Sequence, residues 1–137
     1  MSLFLEVVTP QNSVMNTKVQ SVIAVGAEGE FGVLEHHTTF LTSLAIGALR
    51  YKDENGKEDY LFVNGGFAEV LPDKVTILAE SAEKGKDIDA KRATKAKQRA
   101  TKLLEDKKAD TDILRAQVSL QRALSRLFVK DLVDKRK

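Results

Sequence analysis

In the first part of the chain apolar and polar positions alternate in short runs, the period-two signature of strands with one buried face. Leu3-Phe4-Leu5-Glu6-Val7-Val8 is β-rich and stops at Thr9-Pro10, where proline disfavours a continuing ladder. Residues 14–19 and 21–25 form two further strand segments with partial alternation. Gly26-Ala27-Glu28-Gly29-Glu30-Phe31-Gly32 reads as a glycine-spaced turn region ahead of Val33-Leu34. Segments 44–52 and 58–63 flank Asp53-Glu54-Asn55-Gly56-Lys57. Asn55 and Gly56 both tolerate positive φ, so this is a β-hairpin. Segments 67–71 and 74–78 are joined through Pro72-Asp73. So many short strands with close turns predict a β-sandwich or flattened barrel for residues 1 to about 82.

After Gly85 the apolar period lengthens to between three and four. Asp87 and Asp89 place acid in the first helical turn, where it complements the macrodipole. Ala93, Ala96, Ala100 and Leu103 form a narrow seam, and Asp106-Lys107-Lys108-Ala109-Asp110 is the expected turn. The second helix carries Ile113, Ala116, Leu120, Ala123 and Leu127, with Leu124 and Phe128 widening the stripe. One pattern is written twice here. Asp89-Ala90-Lys91-Arg92-Ala93 followed by Gln98-Arg99-Ala100 recurs, 23 residues on, as Asp112-Ile113-Leu114-Arg115-Ala116 followed by Gln121-Arg122-Ala123. Two copies are too few for a solenoid. They fit two helices of one hairpin that turn the same small-residue face to each other. The predicted fold class is therefore α+β: an N-terminal antiparallel β-sandwich, residues 1–85, and a C-terminal two-helix antiparallel hairpin, residues 86–137. The first helix has little large apolar surface, so its hold on the sandwich should be modest. A hairpin of this kind is suited to act as a switch.

Charge sharpens this division. The net charge of +2 conceals 6 Lys/Arg against 12 Asp/Glu in residues 1–85 and 16 against 8 in residues 86–137. All eight glycines and both prolines fall in the first part. With no cysteine there is no disulfide framework, cysteine metal site or thiol nucleophile. No window approaches the roughly 20 apolar residues that cross a bilayer, and the start lacks the features of a signal peptide. A soluble protein of a reducing compartment is expected. The basic half suits an anionic ligand or an acidic protein surface. Nucleic acid is not expected, because the chain has no aromatic stacking platform and no groove-reading motif.

Nothing in the sequence has the pattern of a catalytic site. His36-His37 lacks companion ligands at metal-site spacing, and the serines show no nucleophile elbow. Gly26, Gly29 and Gly32 are not followed by a helix start, so a dinucleotide fingerprint fails. The arginines are more informative. Arg92 and Arg99 share a helix face, as do Arg115, Arg122 and Arg126. In a closed hairpin they could converge on a phosphate chain, with Glu83 and Asp89 at the mouth accepting bonds from a base or ribose. Equally, Asp89–Arg92 and Asp112–Arg115 could be surface ion pairs worth a few tenths of a kcal/mol each, roughly. The pattern alone favours the surface pairs.

Over essentially its whole length the chain resembles the epsilon-subunit family of the bacterial-type rotary F-type ATP synthase. The resemblance is carried by Gly29-Glu30-Phe31-Gly32-Val33-Leu34-Glu35-His36-His37, Leu41-Thr42-Ser43-Leu44-Ala45-Ile46-Gly47 and Val63-Asn64-Gly65-Gly66-Phe67-Ala68-Glu69-Val70. Pro72-Asp73-Lys74-Val75-Thr76-Ile77-Leu78-Ala79-Glu80 and the duplicated helical motif complete it. The resemblance implies a non-catalytic subunit whose sandwich sits at the foot of the central stalk, against the gamma subunit and the c-ring. Exposed apolar residues on the sandwich would mark those contacts. The complex would be peripheral to the bacterial inner membrane on its cytoplasmic face. The helices of the family fold down on the sandwich or extend along the stalk, where they inhibit ATP hydrolysis. About 45 helical residues end to end would span roughly 65 Å, enough to bring the basic second helix to an acidic loop of the beta subunit, beside alpha. No cofactor is required, but in some members a regulatory ATP holds the hairpin down. Their Ile/Leu-Asp-x-x-Arg-Ala motif is met here by Ile88, Asp89, Arg92 and Ala93, and Glu83, Arg99, Arg122 and Arg126 stand at further ligand positions. The second copy departs from the motif at Thr111, so one nucleotide site is implied. The alternative is a free-standing ATP-sensing module with no stalk partner.

Overall fold

The structure, a computed structural model, describes residues 3–106, 108 and 112–136. Seven strands are followed by two helices: β1 (Leu3–Val8), β2 (Ser13–Gly26), β3 (Gly29–Leu34), β4 (Phe40–Asp53), β5 (Glu58–Leu71), β6 (Lys74–Ala79), β7 (Ala82–Lys84), α1 (Ala90–Asp106) and α2 (Ile113–Arg136). A 3-10 turn, Gly85–Asp87, joins sheet to helices. The expected α+β architecture is what the chain adopts. Of the predicted turn between the helices, Lys107, Ala109 and Asp110 lie outside the described residues.

The strands run in the order β1-β6-β5-β4-β2-β3, and β1 also pairs with β2, so five of them close a flattened barrel. All pairings are antiparallel except β1 with β6. Leu3, Leu5 and Val7 of β1 and Val75, Ile77 and Ala79 of β6 are buried, while their neighbours in sequence face out.

Two strands, β2 and β5, are longer than the alternation implied, because each changes its inward parity partway along. In β5 the positions buried in the sandwich core are Leu61 and Val63, then Ala68 and Val70. Between them Gly65 and Gly66 adopt φ of 69° and 118°, shifting the apolar set by one residue so that both halves face the core. A Cβ on Gly66 would collide with the Leu78 carbonyl. In β2 the shift falls between Val19 and Ser21, where Gln20 is the extra residue. Its amide donates to the Glu54 carbonyl at 3.0 Å and anchors the bulge to the β4–β5 hairpin.

α2 lies on the outer face of β4 and β5. Tyr60 and Phe62, alternate residues of β5, point out under the helix together with Ile46 and Ala48 of β4. Val129, 0% exposed, packs with Phe62 and Ile88 in a second, smaller apolar cluster. α1 packs on α2 through Ala93, Ala100, Ala116 and Ala123, all buried, as the small-residue seam predicts. The wider stripe predicted for α2 differs. Leu124 and Phe128 are 45% and 56% exposed, and Val129 and Val133 take the docking face instead. Leu103 is likewise half exposed at the open end of the seam.

Candidate functional site

The duplicated motif is first of all a helix-start motif. Asp89 precedes α1, and its Oδ1 accepts a hydrogen bond from the Arg92 backbone N–H at 3.1 Å. Asp112 does the same for the Arg115 N–H at 3.0 Å. The carbonyls of Asp89 and Asp112 accept the first helical bonds, from Ala93 and Ala116, each at 3.0 Å. Both aspartates are therefore N-caps, and each alanine that ends the motif begins the buried seam. This differs from the surface Asp–Arg pairing that the spacing suggests: the carboxylates bond backbone, not guanidinium. Asp89 also stands ahead of the first turn of α1 and not inside it.

Capping places the side chains that follow. Arg92 and Arg99 project from α1, exposed and with no ion-pair partner among the described residues. Opposite them, α2 is fixed to the sheet by two arginines one turn apart. Arg122 Nε donates to Asn64 Oδ1 at 3.0 Å, and Arg126 Nε donates to Glu83 Oε1 at 2.6 Å. The Arg126 guanidinium also lies 4.5 Å from the centre of the Phe62 ring, a cation–π contact. Each of these bonds uses Nε, which leaves the terminal guanidinium nitrogens available to an anion.

A cavity of about 420 Å³ opens where hairpin meets sandwich, lined by Glu83, Asp87, Asp89, Arg92, Ala93, Ala96, Arg99 and Arg126. That volume is in the range of small-ligand pockets. Six of the eight residues singled out from the sequence thus share one cavity. The other two sit elsewhere. Ile88 is buried beneath α2 with Phe62 and Val129, an anchor for the entry to α1. Arg122 turns to the sheet through Asn64 and is not in the lining. Arg115, on the same face in sequence, lines a larger opening of about 580 Å³ farther along the hairpin, with Ala100, Leu103 and Ala116. That opening lies between the two helices, with Arg99, Lys108, Asp112 and Arg115 around the alanine seam, and takes no residue from the sandwich. Asp87, Asn64 and Phe62 were missed from sequence. Phe62 and Asn64 are legible only as alternate outward residues of β5, and nothing in sequence says that a helix covers them.

Chemically, the cavity offers two cations with no ion-pair partner among the described residues, a third already oriented by Glu83, and three carboxylates in its lining. Such a site can hold a polyphosphate on the arginines while carboxylates accept bonds from hydroxyl or amino groups.

Comparison with known proteins agrees across the chain. The family model described as ATP synthase, Delta/Epsilon chain, beta-sandwich domain matches residues 2–85, and that for the long alpha-helix domain matches residues 86–130. The chain is 60% identical to the ATP synthase epsilon chain of Desulforapulum autotrophicum, over 93% of this chain and 95% of that one. It is 56% identical to the epsilon chain of Nitratidesulfovibrio vulgaris, over 94% and 96%. Among solved structures it is similar to a chain of the Euglena gracilis mitochondrial ATP synthase (OSCP/F1/c-ring), with a TM-score of 0.81 and 25% identity, covering 96% of this chain and 81% of that one.

Proposed function

The chain belongs to the ATP synthase delta/epsilon family, and on that premise we propose that it is a non-catalytic rotor subunit whose hairpin is a nucleotide-controlled brake. As an epsilon-type subunit of the F-type ATP synthase it is part of the central stalk and serves ATP synthesis and proton transport through the complex. No helix among the described residues is long and apolar enough to cross a membrane, so attachment falls to the assembly. We place that assembly on the cytoplasmic face of a bacterial inner membrane.

The sandwich side of this reading rests on an exposed apolar row. Phe67 of β5 pairs across the ladder with Leu78 of β6, which stands opposite Val8 of β1. Phe67 and Leu78 are about half exposed, and Leu41 on the neighbouring strand is more so. An exposed apolar row of this kind suits a protein contact, and we assign it to the gamma subunit and the c-ring. The hairpin lies over Ile46, Ala48 and Phe62, which are not part of that row. Rotor attachment and hairpin docking thus use different residues.

Released and straightened, helices of 17 and 24 residues would span about 60 Å at ~1.5 Å per residue. That reach would carry the basic α2 from the foot of the stalk toward acidic surface on the catalytic beta subunits, beside alpha, and stop hydrolysis. ATP in the cavity would oppose release. It bridges α1, through Arg92 and Arg99, to α2 and the sandwich, through Arg126 and Glu83, and so binds the docked state with the higher affinity. The observation that carries the proposal is the convergence of Glu83, Asp89, Arg92, Arg99 and Arg126 on one cavity.

Calorimetric titration of the chain with MgATP tests the site. Heat that saturates in the wild type and vanishes in an Arg92→Ala/Arg126→Ala variant supports it. Absence of heat at millimolar MgATP would remove the nucleotide from the mechanism. Truncation after Gly85 tests the brake: reassembled complexes should hydrolyse ATP faster than with the full chain, and an unchanged rate would remove the inhibitory role.

A further inference from the structure

Gly85 occupies an unusual position. It is buried, it opens the 3-10 turn between the last strand and α1, and α2 passes directly over it. A Cβ added there would fall within clash distance of Val133 Cγ2, and 3.2 Å from Val129 Cγ1. The third neighbour is the Tyr60 carbonyl oxygen at 3.0 Å. Unlike Gly29, Gly56, Gly65 and Gly66, Gly85 does not have a positive φ, so its backbone suits an ordinary residue. What excludes a side chain is chiefly α2.

We propose that Gly85 is the seat on which the hairpin closes: the missing side chain lets Val129 and Val133 reach the sheet, and a methyl group there favours the undocked state. The inference rests on the reading that the hairpin can leave the sandwich, and it assigns the conformational balance to one backbone position. Two of the three atoms crowding a Cβ belong to α2 and depart with it. Only the Tyr60 contact, at 3.0 Å, remains, and it is common to both states. The substitution therefore costs the docked state more than the undocked one. Val133 is the closest obstacle, so trimming it should restore the fit.

The chain has no cysteine, so a Glu54→Cys/Gln121→Cys pair can carry two spin labels, one on the β4–β5 turn and one on the exposed face of α2. Interspin distances are read in the full chain, with far-ultraviolet circular dichroism to confirm helix content. The unsubstituted background should give one dominant interspin distance, that of the docked hairpin. Gly85→Ala should lower the docked-to-undocked ratio at least about fivefold, the lower end of the cost of overpacking a tight contact. Gly85→Ala/Val133→Ala should recover the docked distance. An unchanged distribution in Gly85→Ala, or a double variant that stays undocked, overturns the proposal. Should the single variant not fold, the double must fold and dock; failure of both also overturns it. Distances in the isolated chain do not depend on hydrolysis by a complex. Loss of the brake reading would leave a positive result standing, and a negative result here would leave the truncation experiment untouched.

Discussion

The sandwich and the hairpin are built from opposite materials. The sandwich buries Leu, Val and Ile from six strands in one continuous cluster, and its polypeptide closes on itself through β1. The hairpin buries four alanines between its helices and depends for larger apolar contact on Val129 and Val133, at the far end of α2. Burying a Val, Leu or Ile side chain contributes about 1.5–3 kcal/mol, whereas an alanine contributes one methyl group, about 0.8 kcal/mol. One region therefore carries its own stability, and the other borrows it from a small mixed interface of Val129, Ile88, Phe62 and two arginines. That asymmetry is what a switch requires: an arm that can leave without taking the body apart.

The contrast can be broken at graded cost. Gly66→Ala should do most damage, because it meets the Leu78 carbonyl and sits at φ 118°. We expect a loss of about 3–5 kcal/mol in chemical denaturation, with sandwich and hairpin signals lost together. Val129→Ala leaves a void in the docking cluster and should cost about 2 kcal/mol, confined to the hairpin. An equal loss in the sandwich would mean the two regions are one cooperative unit. Asp112→Ala or Asp89→Ala removes an N-cap and should cost about 1 kcal/mol of helix stability, seen as fraying by circular dichroism while the sandwich is unaffected. Arg126→Ala is the mildest for stability. Glu83 and Arg126 are about a third exposed, so their bond is worth less than about 1 kcal/mol and weakens with salt. Its large effect should appear instead in the MgATP titration.

The division into sandwich and hairpin was legible because the apolar period changes after Gly85 and because charge changes sign there. The alanine seam was legible for the same reason: Ala93, Ala100, Ala116 and Ala123 recur at the spacing of a close helix contact. Long strands were not. Gly65-Gly66 looks like a break, yet it resets the parity of β5 without ending it, and Gln20 does the same in β2. The face of α2 was misjudged because its apolar residues surround the helix. Only the sheet beneath decides that Val129 and Val133 dock while Leu124 and Phe128 face solvent. Five arginines on two helix faces were equally visible. Which of them meet depends on how the hairpin lies over β5, and Asn64 draws Arg122 out of the lining.

Region-resolved hydrogen exchange, with and without MgATP, tests the separability of the two regions most directly. Amides of α1 and α2 should exchange through an opening of lower free energy than those of β1, β5 and β6, and MgATP should slow exchange in the helices and at residues 83–89 while leaving the sandwich core unchanged. Equal opening free energies throughout, or protection by MgATP spread evenly over the sheet, would contradict a detachable, nucleotide-latched arm.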